Sequence, residues 1–144
     1  MNQYSSAPGT VPDPSAGGLP ACLASPLTEE QRLQDILRLA GPAEAAAVLG
    51  MILVDLRKQQ AALAAGLASG DAQVLRAASH ALIALAGTIG APGLHHAAID
   101  LNLMARQSAW SDLPQQVGSI GAGIAALCRD LTERRDGLTA GPAA

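Results

Sequence analysis

The chain has 144 residues, enough for one domain with a substantial core. Aromatic residues make up 1% of it and Phe is absent, so the core must be built from Leu, Ala, Ile, Val and Met. A net charge of -3 gives no electrostatic reason to expect nucleic acid or an anionic membrane surface as a partner.

Few β-branched runs and no alternating apolar–polar segments occur, so the sequence reads as all-helical. Residues 1–26 mix Pro, Gly, Ser and Ala with almost no charge. Such a segment buries too little apolar surface to offset its ordering entropy, and it is expected to be a flexible tail, pinned at most near Leu23 and Leu27. Within it, Leu19-Pro20-Ala21-Cys22 has a passing similarity to a lipoprotein cleavage box. It lacks the basic start and hydrophobic run of a signal peptide, so that reading is set aside. The two cysteines, Cys22 and Cys128, are too few and too far apart for a zinc site or a disulfide framework, which favours a reducing cytoplasm. No stretch is expected to span a bilayer.

A first, short helix is expected from Thr28, with Gln31 completing a capping box and Leu33, Ile36, Leu37 and Ala40 forming its apolar face. Gly41-Pro42 ends it. A second runs from about Ala43 to Ser69 on Val48, Leu49, Ile52, Leu56, Leu63 and Leu67. Gly70 closes that helix and Asp71 caps the next, which makes the two antiparallel neighbours. The third helix ends near Gly90 and carries Leu75, Ala78, Leu82, Leu85 and Ile89 on one stripe. At about 100° per residue, His80 falls roughly opposite that stripe, among Gln73, Arg76, Ala77, Ile83, Ala84 and Gly87.

Pro92 suits the first turn of a fourth helix, with a core stripe of Leu94, Ala97, Ala98, Leu101 and Ala105 and an outer side of His95, His96, Ile99 and Leu103. Trp110 falls in the next loop. Ser111 or Asp112 caps a fifth helix, which has Pro114 in its first turn and a face of Val117, Ile120, Ile124, Leu127, Cys128 and Leu131. Gly118, Gly121 and Gly123 weaken its first half by about 1 kcal/mol each relative to Ala, or serve close helix approach. The expected product is an antiparallel up-down four-helix bundle, residues 27–136, preceded by an additional short N-terminal helix and followed by a flexible tail, 137–144.

A lone histidine on a helix is most often a solvated residue. Here its neighbours add information. Gly70-Asp71, Leu75, His80, Leu82, Gly90-Ala91, Leu94, Ala98 and Leu101 together resemble the histidine-containing phosphotransfer (HPt) family. That family's core is His-x-Leu-Lys-Gly, then Gly-Ala, then spaced Leu, Ala and Leu-Glu. The similarity extends over roughly residues 27–135.

The resemblance implies a four-helix bundle that relays phosphoryl groups between receiver-domain aspartates. His80 would be the phosphoryl acceptor, since near neutral pH a substantial fraction of imidazole is uncharged and nucleophilic. Ala77, Ala84 and Gly87 would leave room for the partner, the receiver domain of a hybrid histidine kinase or of a response regulator. No metal or other cofactor of its own is implied, because the receiver supplies magnesium. The protein would be a phosphoryl carrier rather than an autonomous enzyme, cytoplasmic and monomeric.

Three positions depart from the family pattern. The Lys three residues after the histidine is Ile83, and the following Gly is Ala84. Asn102 stands where an acid is common. Arg76, one turn before His80, could supply the missing cation, and Ile83 could join the docking surface. A degenerate relative that binds a receiver without transfer therefore stays open.

Other readings are weaker. A kinase dimerisation domain usually follows its histidine with an acid, and here Ala81 follows. A helical adaptor outside phosphorelay is the residual case. His95-His96 with Asp100 diverge too far on a helix for a good metal site. Ser79 and Thr88 lack a partnered general base, and Gly87-Thr88-Ile89-Gly90 lacks the lysine and spacing of a P-loop.

Overall fold

The computed structural model describes residues 29–140. Five helices follow in order: α1 (Glu30–Ala40), α2 (Pro42–Ser69), α3 (Ala72–Ile89), α4 (Pro92–Arg106) and α5 (Leu113–Thr139). No strand occurs among the described residues. α2 to α5 form the antiparallel bundle, with α3 packed between α2 and α4, and α5 between α4 and α2. α1 lies across one end, against α2 and the end of α3.

Local chemistry sets the corners. Gly70 takes a left-handed φ of 67° and ends α2, and the Asp71 carboxylate accepts from the Gln73 and Val74 N–H groups, satisfying two otherwise unpaired donors of α3. Gly90 ends α3 with φ 71°. A Cβ there would also lie 3.0 Å from the Arg32 side chain, so this corner needs glycine for both backbone shape and the close passage of α1. α1 answers by donating: the Glu29 N–H bonds to the Gly90 carbonyl and Arg32 Nη1 to the Gly87 carbonyl at 2.7 Å. These contacts satisfy carbonyls at the negative end of α3.

The core is aliphatic. Leu49, Leu53, Leu56 and Leu63 from α2 meet Leu75, Leu82 and Ile89 from α3, Leu101 from α4, and Ile120, Ile124 and Leu131 from α5. Trp110, in the α4–α5 turn, stays about one-third exposed (36%), so no aromatic ring fills the core among the described residues. Gln60 Nε2 donates to the Gly121 carbonyl (3.2 Å) and Gln116 Nε2 to the Ala97 carbonyl (3.0 Å), tying α5 to both neighbours.

Several expectations need correction. α1 begins at Glu30 with Glu29 as its N-cap position and no side-chain cap there, and Gln31 Nε2 donates forward to Asp35; Thr28, and with it the expected capping box, and the tail 1–26 lie outside the described residues. Pro42 opens α2 instead of only stopping α1. Asp112 is the N-cap position of α5, but its side chain makes no capping bond. α5 runs to Thr139, past the expected boundary at 136, with Gly137 and Leu138 exposed on its last turn beside the α1–α2 corner. α3 is long and apolar enough, by length and composition alone, to cross a membrane. The reason is its position: a helix packed between two others carries apolar residues on more than one side, and Leu75, Leu82 and Ile89 are fully buried in the bundle.

Candidate functional site

His80 stands on the exposed side of α3, near the middle of that helix, while its neighbours Ser79 and Leu82 are fully buried. It lines an open groove of about 310 Å³ between α3 and α4, together with Gln73, Arg76, Ala77, Asn102 and Arg106. Among the described residues no carboxylate lines this groove. Neither Arg76 nor Arg106 makes an ion pair among the described residues. Two guanidinium groups thus share the groove with one imidazole, and guanidinium is the side chain best suited to phosphate oxygens.

Of the residues expected at the site, Arg76 and Ala77 share the groove with His80. Ile83, Ala84 and Gly87 continue along α3 toward its C-terminus and do not line it. Ala84 is exposed; Ile83 is half-buried against the core. Gly87 faces a side chain rather than open solvent, since a Cβ there would sit 3.5 Å from the His95 ring.

The α4 contributions were not anticipated as site residues. Arg106 lies one turn beyond Asn102 on α4, so both reach the groove from one face. The signal for them was the antiparallel α3–α4 pairing through Gly90-Ala91, which sets residues near 76 opposite residues near 102. Asn102 Nδ2 donates to the Ser79 hydroxyl at 3.0 Å and to the Arg76 carbonyl at 3.3 Å. Ser79 Oγ donates to the same carbonyl at 3.0 Å. An acid at position 102 has no proton to give a carbonyl, so asparagine is the residue this seam requires. The bonds tie the Arg76 carbonyl and the Ser79 hydroxyl, in the turn before His80, to α4.

His95 also differs from expectation. It is half-buried, and its Nδ1 sits 2.9 Å from the Ile83 carbonyl, which requires Nδ1–H as donor. Its ring therefore clamps α4 to α3 instead of standing on the outer side, whereas His96, Ile99 and Leu103 are exposed. The His95 and His96 rings lie edge-on at 5.9 Å between centroids. Among the described residues no group of His, Cys, Asp and Glu is placed to hold a metal ion.

Neither a scan of protein-family models nor a search of curated proteins yields a match. Among solved structures, histidine-containing phosphotransfer protein B from Pseudomonas aeruginosa superimposes with a TM-score of 0.72 at 21% identity, over 78% of this chain and 97% of that one. The all-helical bundle, its cross-lying first helix and this superposition lead to one conclusion: the chain has the fold of the histidine-containing phosphotransfer proteins.

Proposed function

We propose that the protein is a phosphoryl carrier of a two-component phosphorelay in the cytoplasm, with His80 as the acceptor. The observation that carries this reading is an exposed imidazole that shares an open groove with two arginines, neither of them ion-paired among the described residues. A receiver domain, of a hybrid histidine kinase or of a response regulator, presents its aspartyl phosphate to this groove. The unprotonated ring nitrogen of His80 attacks phosphorus in line, the P–O bond to the aspartyl carboxylate breaks as the N–P bond forms, and the carboxylate leaves with the bonding pair. Arg76 and Arg106 hold the equatorial phosphoryl oxygens during transfer. Magnesium belongs to the receiver side. A second receiver aspartate reverses the same steps and takes the group away.

In this reading, support for His80 as the nucleophile is that the side chain is exposed on a well-anchored helix. Leu82 and Ala78 anchor the helix beneath, the Asn102 bonds set the preceding turn, and Ala77 and Ala84 keep the approach low.

A second reading, receiver binding without transfer, is favoured by one observation: the family lysine three residues after the histidine is Ile83, and its apolar side chain packs on the core edge. Mixing the chain with phosphorylated receiver domains and following label transfer separates the two. Acid-labile, alkali-stable label on the wild type and none on His80→Gln supports transfer. Receiver binding through this groove with no label supports the binding-only reading.

A further inference from the structure

The 28-residue α2 turns a second face outward that the bundle does not use. Ala47, Met51, Val54, Lys58, Ala61 and Ala65 recur at alternating intervals of four and three, and every one is exposed. Met51 is 68% and Val54 63% exposed, large values for apolar side chains in mid-helix. The intervals average 3.6 residues, the helical period, so these side chains form one straight stripe along the outside of α2, whereas the inner face of α2 already serves α3 and α5.

We propose that this face joins a second copy of the same chain, α2 against α2, antiparallel about a two-fold axis. The pattern is self-complementary in that direction. With the axis near residue 56, Met51 of one copy meets Ala61 of the other, Val54 meets Lys58, and Ala47 meets Ala65, so each large side chain faces a small or flexible one. Charge fits the same register. Asp55 flanks the stripe beside Lys58, and neither makes an ion pair among the described residues. In the antiparallel pair, Lys58 of each copy reaches Asp55 of the other, giving two ion pairs across the axis. A parallel pair would instead stack Lys58 on Lys58, a repulsive arrangement. The flanking alanines let the backbones approach closely, and the lysine stems lie along the apolar strip with their charges at its edge.

α2 is bordered by α3 and α5, so its outer face points away from the α3–α4 groove. Both copies of His80 stay open in the pair. The inference does not depend on His80 carrying phosphate, and its test is separate.

Sedimentation equilibrium of the full chain over a wide concentration range is the experiment. The wild type is expected to approach the mass of two chains as concentration rises. Met51→Glu and Val54→Glu, checked for unchanged helicity by circular dichroism, should stay monomeric. Asp55→Lys and Lys58→Asp should each weaken association roughly tenfold, because each change strikes both symmetric contacts. The double exchange should restore it. A wild type that remains monomeric throughout, or a dimer indifferent to Met51→Glu, overturns the proposal. A dimer that the double exchange fails to restore overturns the antiparallel register.

Discussion

Arginine is used in two opposite ways at two places in this bundle. At the α1–α5 corner, Arg134 spans the gap with its Nη1 and Nη2 donating to the two Glu30 carboxylate oxygens (2.8 and 2.7 Å) and its Nε to Asp130 (3.0 Å). The bonds from Arg134 push the Glu30 carboxyl down to about 2. In the α3–α4 groove, Arg76 and Arg106 pair with no carboxylate among the described residues. The first arginine is spent on holding a helix in place; the other two leave their donors open in the groove that an exposed imidazole shares. An anion from outside can complete the second arrangement and only disrupt the first.

The largest expected effect comes from His80→Gln, which should abolish phosphoryl acceptance in a label-transfer assay. Because the side chain is exposed, stability measured by urea unfolding should change by less than about 0.5 kcal/mol. Next, Arg76→Ala and Arg106→Ala should each slow transfer roughly tenfold, as charge-assisted bonds to a phosphoryl group are lost, with thermal stability unchanged. Arg134→Ala should show the reverse: normal transfer and a melting temperature lower by a few degrees.

Acid sharpens that contrast. The Glu30 carboxyl has a lowered value in the fold, so the stability it contributes is fully present above its ordinary value of 4.5 and is lost as pH falls toward about 2. Wild type should therefore lose stability more steeply across that window than Arg134→Ala, measured by thermal melts at stepped pH. The smallest effect is expected for Ile83→Lys, which restores a cation near His80. One solvent-screened charge should raise the transfer rate or phosphohistidine lifetime about two- to fivefold. No change in either would remove the significance of the missing lysine.

The α3 stripe and the outward position of His80 were legible because that helix alternates large and small apolar residues at a clear helical period, bracketed by Gly70-Asp71 and Gly90. α2 was less so. Leucine and alanine occur on all its sides, so Leu53 escaped the expected core although it is fully buried. Leu113 escaped because it precedes the periodic part of α5. Arg106, Asn102 and the inward turn of His95 depend on the axial register of α4 against α3. That register follows from how the side chains interlock, which no periodicity within one helix records. The substitution of asparagine for an acid looked like a departure in sequence; in three dimensions it is a donor set against a carbonyl and a hydroxyl.

Trp110, in the turn that joins α4 to α5, gives the molecule an optical property. It is the chain's one indole, it is 36% exposed, and it lies four residues past Arg106 at the end of the groove. Its emission therefore reports the wet rim of the bundle and says little about the aliphatic interior. Melting of the core is followed better by helical ellipticity. A partner settling beside Arg106 would change the indole's solvation directly, so docking could be titrated by fluorescence with no label attached.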